Sequence, residues 1–101
     1  MTHKQREMQL LRAGLEAAQR IGYSHVTRAE VAERAGASES LVQYHFQTME
    51  NLRERIVAEA IKNENISVLA QAMGALHPAA LAAPEPLRNR AIQFIINSGG
   101  Q

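Results

Sequence analysis

The sequence predicts an all-α chain built from short helices, and three observations carry that reading. Aromatic residues make up only 4% of the 101 residues while apolar residues make up 46%, much of it alanine. Small apolar side chains suit close helix packing, whereas a β-sandwich draws on Val, Ile and aromatic alternation. Apolar positions recur at three and four residues in successive segments. Finally, the segments are punctuated by helix signals: Thr27, Ser38 and Thr48 at starts, Gly22 and Gly36 at stops.

The first helix is expected over residues 4–21, with Leu11, Leu15, Ala18 and Ile21 as its stripe, Leu10, Gly14 and Ala17 beside them, and Gly22 as its stop. Tyr23 is expected to fold back on the core. Thr27-Arg28-Ala29-Glu30 has the form of a capping box, in which Thr27 accepts from a backbone N–H and Glu30 reaches back. Val31, Ala32 and Ala35 then give a two-turn helix ended by Gly36. Ser38 caps a third helix over Glu39–Phe46, with Val42 and Phe46 on one face and Leu41 and His45 at its edge.

Thr48 caps a fourth helix with the stripe Leu52, Ile56, Val57, Ala60 and Ile61. Asn63-Glu64-Asn65 interrupts the pattern, either as a break or as a polar turn of one long helix. Ile66, Leu69, Met73 and Leu76 resume it, and His77-Pro78 ends it. Residues 77–86 are expected to be a loop with room for one helical turn. Pro86 suits the first turn of a last helix carrying Leu87, Ala91, Ile92, Phe94, Ile95 and Ile96, which Gly99-Gly100 ends.

Composition excludes several function classes. Cysteine is absent, so there is no disulfide scaffold or thiolate metal site, and a reducing cytosol is compatible. No run of eighteen apolar residues exists to span a membrane, and residues 1–7 lack the apolar stretch of a signal peptide. His3, His25, His45 and His77 are never spaced i, i+3 or i+4 from one another, so no metal site and no cofactor is expected. Glu30 and Glu33 lie near no nucleophile and no Gly-rich phosphate loop, so no enzyme is expected. Net charge is only +1, but within residues 1–28 Lys4, Arg6, Arg12, Arg20 and Arg28 stand against Glu7 and Glu16. A basic end of this kind is a weak sign of a phosphate-facing surface.

The informative stretch is Val26 to Phe46. Two short helices joined by three or four residues with a glycine form a helix-turn-helix unit. The first buries Val31 and Ala35 and props the second, whose polar side can enter a DNA major groove. Ser38, Glu39, Ser40, Gln43 and Tyr44 are left facing outward. Gln can bond an adenine edge, Ser a base or phosphate, Glu a cytosine amino group, and Tyr a phosphate or thymine methyl.

Gly22-Tyr23, Thr27 through Gly36 and Ala37-Ser38-Glu39-Ser40-Leu41-Val42-Gln43-Tyr44-His45-Phe46 resemble the N-terminal domain of TetR-family regulators, as do Glu50 and Leu52 beyond them. The likeness covers roughly residues 8–60. It implies that Thr27 and Arg28 meet phosphate, that Glu39, Ser40 and Gln43 face bases, and that Tyr44 and His45 meet the DNA backbone. The chain departs from the family pattern at Ala18, often a bulky aromatic; at Met49, usually a phosphate-gripping Lys; and at Gln43, often a Tyr. Family members also commonly carry a longer second helical domain holding a ligand pocket. The helices after residue 66 are too short to wall a pocket of roughly 300–1,000 Å³, so no small-molecule effector is expected within one subunit.

The expected architecture is a helix-turn-helix DNA-binding domain over residues 1–47 and a helical connecting and dimerisation region over residues 48–101. A monomer would expose the apolar surplus of the C-terminal helices, which soluble monomers avoid. Leu69, Met73, Leu87, Ile92, Ile95 and Ile96 are therefore expected at a homodimer interface. The expected function is a homodimeric repressor acting at a palindromic double-stranded DNA operator, in the cytoplasm at the nucleoid and away from membranes. The alternative is a protein-interaction module, anti-repressor-like, on the same scaffold, which Met49 and the low net charge favour.

Overall fold

The computed structural model describes residues 1–99 and consists, among them, of seven α-helices and one short 3₁₀ turn. They are α1 (His3–Ile21), α2 (Arg28–Ala35), α3 (Glu39–Phe46), α4 (Met49–Lys62), α5 (Ile66–Gly74), α6 (Pro78–Leu81) and α7 (Glu85–Gly99), with the 3₁₀ turn at Tyr23–His25. The all-α expectation holds. Gly100, expected to help end α7, lies outside the described residues.

Local chemistry sets most of the boundaries. Ser38 Oγ accepts from the Leu41 N–H at 3.1 Å and Thr48 Oγ1 from the Asn51 N–H at 3.0 Å. Thr27 Oγ1 accepts from the Glu30 N–H at 3.2 Å, but Glu30 does not reach back as expected. Its carboxylate turns along the helix to Arg34, 3.7 Å away. The reciprocal capping box lies instead at the start of α1. There Thr2 Oγ1 accepts from the Gln5 N–H and Gln5 Oε1 accepts from the Thr2 N–H, at 3.1 and 2.8 Å.

Three helices end in the same left-handed turn. After α2, the Ala37 N–H donates to the Ala32 carbonyl and the Gly36 N–H to the Glu33 carbonyl, with Gly36 at φ 65°. This is the Schellman pattern, and glycine adopts its left-handed residue without steric cost. The Asn63-Glu64-Asn65 interruption is a true break of the same kind. The Asn65 N–H reaches the Ala60 carbonyl, Glu64 sits at φ 53°, and Asn65 Oδ1 caps α5 at the Val68 N–H. α5 closes likewise, with Leu76 at φ 60° and 72% exposed.

A continuous core runs from α1 to α7. α1 contributes Leu10, Leu11, Ala13, Ala17 and Ala18, and α4 contributes Leu52, Ile56, Val57 and Ala60. Of the apolar positions expected on α1, Leu10, Leu11, Gly14, Ala17 and Ala18 are buried where α2 and α4 pack, while Leu15 is half-buried and Ile21 is 38% exposed. α1 and α4 come close at Gly14, where an added Cβ would lie 3.0 Å from Ile56 Cδ1. Gln71 on α5 ties this unit to the C-terminal helices. Its Oε1 accepts from the Tyr23 N–H at 2.7 Å and its Nε2 donates to the Ala18 carbonyl at 3.4 Å. Tyr23 itself is buried, as expected.

α7 lies along α5 and buries Ala91 there, leaving Ile92, Phe94, Ile95 and Ile96 between 41% and 58% exposed. Three other side chains expected at a dimer interface stand differently. Leu69 is 1% exposed, inside the protomer's own core where α5 packs among α1, α4, α6 and α7, so it has no surface to offer a partner. Met73 and Leu87 are half-buried against that core.

Candidate nucleic-acid interface

The candidate interface begins with how α3 is held. Val42 and Phe46 are each 1% exposed and anchor its inner side. The preceding α2 is fixed to α1 by Gln9 Nε2, which donates to the Ala35 carbonyl at 3.3 Å. At its C-terminal end α3 stops abruptly. The Thr48 N–H donates to the Phe46 carbonyl at 2.7 Å across Gln47, whose φ 63° and ψ −58° form a γ-turn. That turn is strained for a non-glycine residue. Side chains brace it: Asn51 Nδ2 donates to the Phe46 carbonyl at 2.8 Å and Gln47 Nε2 to the Tyr44 carbonyl at 2.9 Å. A two-turn helix has little stability of its own, so these contacts set its direction.

On the outer side the structure brings together the polar residues expected there. Ser38, Glu39, Ser40, Gln43 and Tyr44 are all exposed, Tyr44 by 67%. Ser38 spends its hydroxyl oxygen on the cap, while its O–H remains a donor. Thr27, likewise exposed and capping, stands with half-buried Arg28 at the start of α2, where backbone N–H groups and the helix dipole favour an anion. Arg28 enters no ion pair among the described residues, so its charge is available to an outside anion.

His45 is a correction. Expected at the DNA backbone, its side chain is only 3% exposed and faces α1 rather than the outer surface. Position 45 lies three residues after Val42 and one before Phe46, so it shares the buried side of a 3.6-residue helix. Burial first, then the charge of His3, pushes its pKa below the ordinary imidazole range. Met49, where a phosphate-gripping Lys was looked for, is half-buried against the core.

His45 brings α1 into the picture. Its Nδ1 lies 3.9 Å from Glu7 Oε2, and His3 Nε2 lies 3.8 Å from the same oxygen. Arg55 Nη2 on α4 donates to Glu7 Oε1 at 2.9 Å, and this bond holds the Glu7 pKa below the ordinary carboxylate range. Glu7 thus ties α1 to α4 through Arg55 and lies beside His45 of α3. Reading histidines only against one another missed this cluster. The one legible trace was His3 and Glu7 at i and i+4, and nothing local points to His45. The positioning roles of Gln9 and Asn51 were equally invisible, because each acts on a carbonyl of a neighbouring helix or turn.

Residues 10–56 match the family model described as bacterial regulatory proteins, tetR family. No curated protein and no solved structure matches the chain. The matched segment begins at Leu10 within α1 and ends at Ile56 within α4, so it contains α2, the Gly36 turn and α3 whole. Members of this family are DNA-binding transcription regulators, and their N-terminal domain is an all-α, non-enzymatic helix-turn-helix. Among the described residues no helix is long and apolar enough to cross a membrane. The order of the helices, the left-handed turn at Gly36, the outward polar row of α3 and the family match agree: residues 10–56 are the N-terminal helix-turn-helix DNA-binding domain of the tetR family of bacterial regulatory proteins.

Proposed function

We propose that the protein is a homodimeric repressor that reads a palindromic operator with α3 of each protomer. Residues 1–47 form the DNA-binding part, and residues 48–101 connect and dimerise it. Ser38, Glu39, Ser40 and Gln43 face base edges, while Thr27, Arg28 and Tyr44 meet the phosphate backbone. The observation that carries this reading is the division of α3 into an exposed polar side and a buried side anchored by Val42 and Phe46. A groove-reading helix needs just such a rigid base and a free face.

Dimerisation rests on α7. Ile92, Phe94, Ile95 and Ile96 leave an apolar strip beside a shallow groove of about 330 Å³ lined by Ala70, Gln71, Phe94, Ile95 and Ser98. A second copy of the same strip covers it by two-fold symmetry. Two recognition helices then stand about 34 Å apart, one turn of duplex. Binding at the operator blocks polymerase, and the protein works in the cytoplasm at the nucleoid.

Selection from a random duplex pool tests this. The expected product is a palindrome bound at least about a thousandfold better than scrambled DNA, with affinity falling steeply as salt rises. Absence of any enriched sequence, with weak binding even at low salt, would overturn it and favour the protein-interaction reading.

A further inference from the structure

The His3–Glu7–His45 cluster has the makings of a site of its own. One potential ligand atom from each residue lies within 4.8 Å of the other two. The two imidazole nitrogens stand 3.8 and 3.9 Å from Glu7 Oε2, too far for hydrogen bonds. The His45 Nδ1 is buried and has no hydrogen-bond partner. An orphaned buried nitrogen is unusual and calls for an explanation.

Two ligands bonded at about 2.0–2.2 Å to one tetrahedral ion sit about 3.3–3.5 Å from each other. The two spacings to Glu7 Oε2 exceed that by a few tenths of an ångström, and the three atoms all lie within 4.8 Å of one another. His3, whose side chain is 63% exposed, can close the difference by a small side-chain adjustment. Arg55 supplies the outer support such sites need, because its bond to Oε1 orients the carboxylate and leaves Oε2 facing one nitrogen of each imidazole. Arg55 also competes for the carboxylate's charge and so moderates affinity.

We propose that His3, Glu7 and His45 bind one divalent transition-metal ion of the zinc class, with a fourth position left to water. Two imidazoles and a carboxylate suit such an ion, and calcium or magnesium would want oxygen alone. No drug-sized pocket is needed. The ion clamps the first turn of α1 to the last turn of α3. His3 also meets the Tyr44 ring edge-on at 6.0 Å, so the clamp reaches a side chain of the outer face. Metal binding does not depend on the DNA-binding reading and is tested without DNA.

The test titrates cobalt(II) into the full chain, followed by zinc displacement against a chromophoric chelator. The expected result is one saturable equivalent per chain with the visible absorption of four-coordinate cobalt, lost on adding zinc. His3→Ala and Glu7→Gln each weaken cobalt binding at least tenfold while far-ultraviolet circular dichroism stays unchanged. His3 is exposed, so its loss leaves the core intact, and its variant is informative even where His45 substitutions unfold the protein. Absence of a saturable cobalt or zinc signal overturns the proposal. So does equal affinity in either variant, which would place the ion elsewhere and leave Glu7 as an ion-pair partner of Arg55 only.

Discussion

If α7 is the seam of a homodimer, the double substitution Ile95→Ala with Ile96→Ala should dissociate it. The two side chains are 42% and 58% exposed in the protomer, together the equivalent of one whole isoleucine. Burying one such side chain stabilises by about 1.5–3 kcal/mol. A two-fold interface contains every residue twice. Allowing for the Cβ that alanine keeps, the dimer loses about 2–4 kcal/mol, a 30- to 1,000-fold rise in Kd. The protomer should suffer little, since both side chains are about half exposed and alanine is the better helix former. Sedimentation equilibrium across micromolar concentrations reads the Kd, and thermal melting in the monomeric range reads the fold. An unchanged Kd would refute the assignment of α7 as the interface. A collapsed melting temperature would show that these side chains belong to the protomer core.

Three further outcomes follow from the same geometry. Gln43→Ala should cost about 1–3 kcal/mol of specific operator binding with no change in melting, because the side chain is exposed; equal affinity for the selected operator would remove α3's outer face from the DNA. Gly36→Ala meets no atom within 4 Å, so its whole effect is the left-handed φ of 65°. That conformation costs an L-residue about 1–2 kcal/mol, offset by about 0.4–1 kcal/mol from a stiffer unfolded chain, for a net loss of about 0.5–1 kcal/mol. Calorimetry should show the melting temperature fall by about 2–8 °C, and an unchanged value would contradict the left-handed turn. Leu76→Gly is the mirror case. Leu76 holds φ 60° while 72% exposed, so glycine should raise the melting temperature by a similar amount, and a drop would mean that the leucine packs against something.

The tandem of short helices was legible because its signals are local. Thr27, Ser38 and Thr48 each bond a backbone N–H three residues on, and Gly36 occupies the one turn conformation that disfavours a side chain. The same locality explains the errors. A capping box at Thr27 and one at Thr2 look alike in sequence; the one at Thr2 closes, while Glu30 lies 3.7 Å from Arg34 instead of reaching back. The break at Asn63–Asn65 was visible as an interruption, yet whether it bent the chain depended on Glu64 accepting a left-handed φ, which glycine would have advertised and glutamate does not.

The sequence by itself determined the helical class, the caps, the polar row of α3 and the likeness to a DNA-binding family, since each is written in residues no more than a few turns apart. Tertiary structure alone decided which apolar residues of the C-terminal half were core and which were surface. Leu69 and Ile95 are equally hydrophobic, and only the packing of α5 among its neighbouring helices, with α7 at the edge, separates them. It alone also turned His45 inward against Glu7 and His3. A side chain's neighbours across a helix–helix contact are set by where the two helices cross, and no spacing along one chain segment records that.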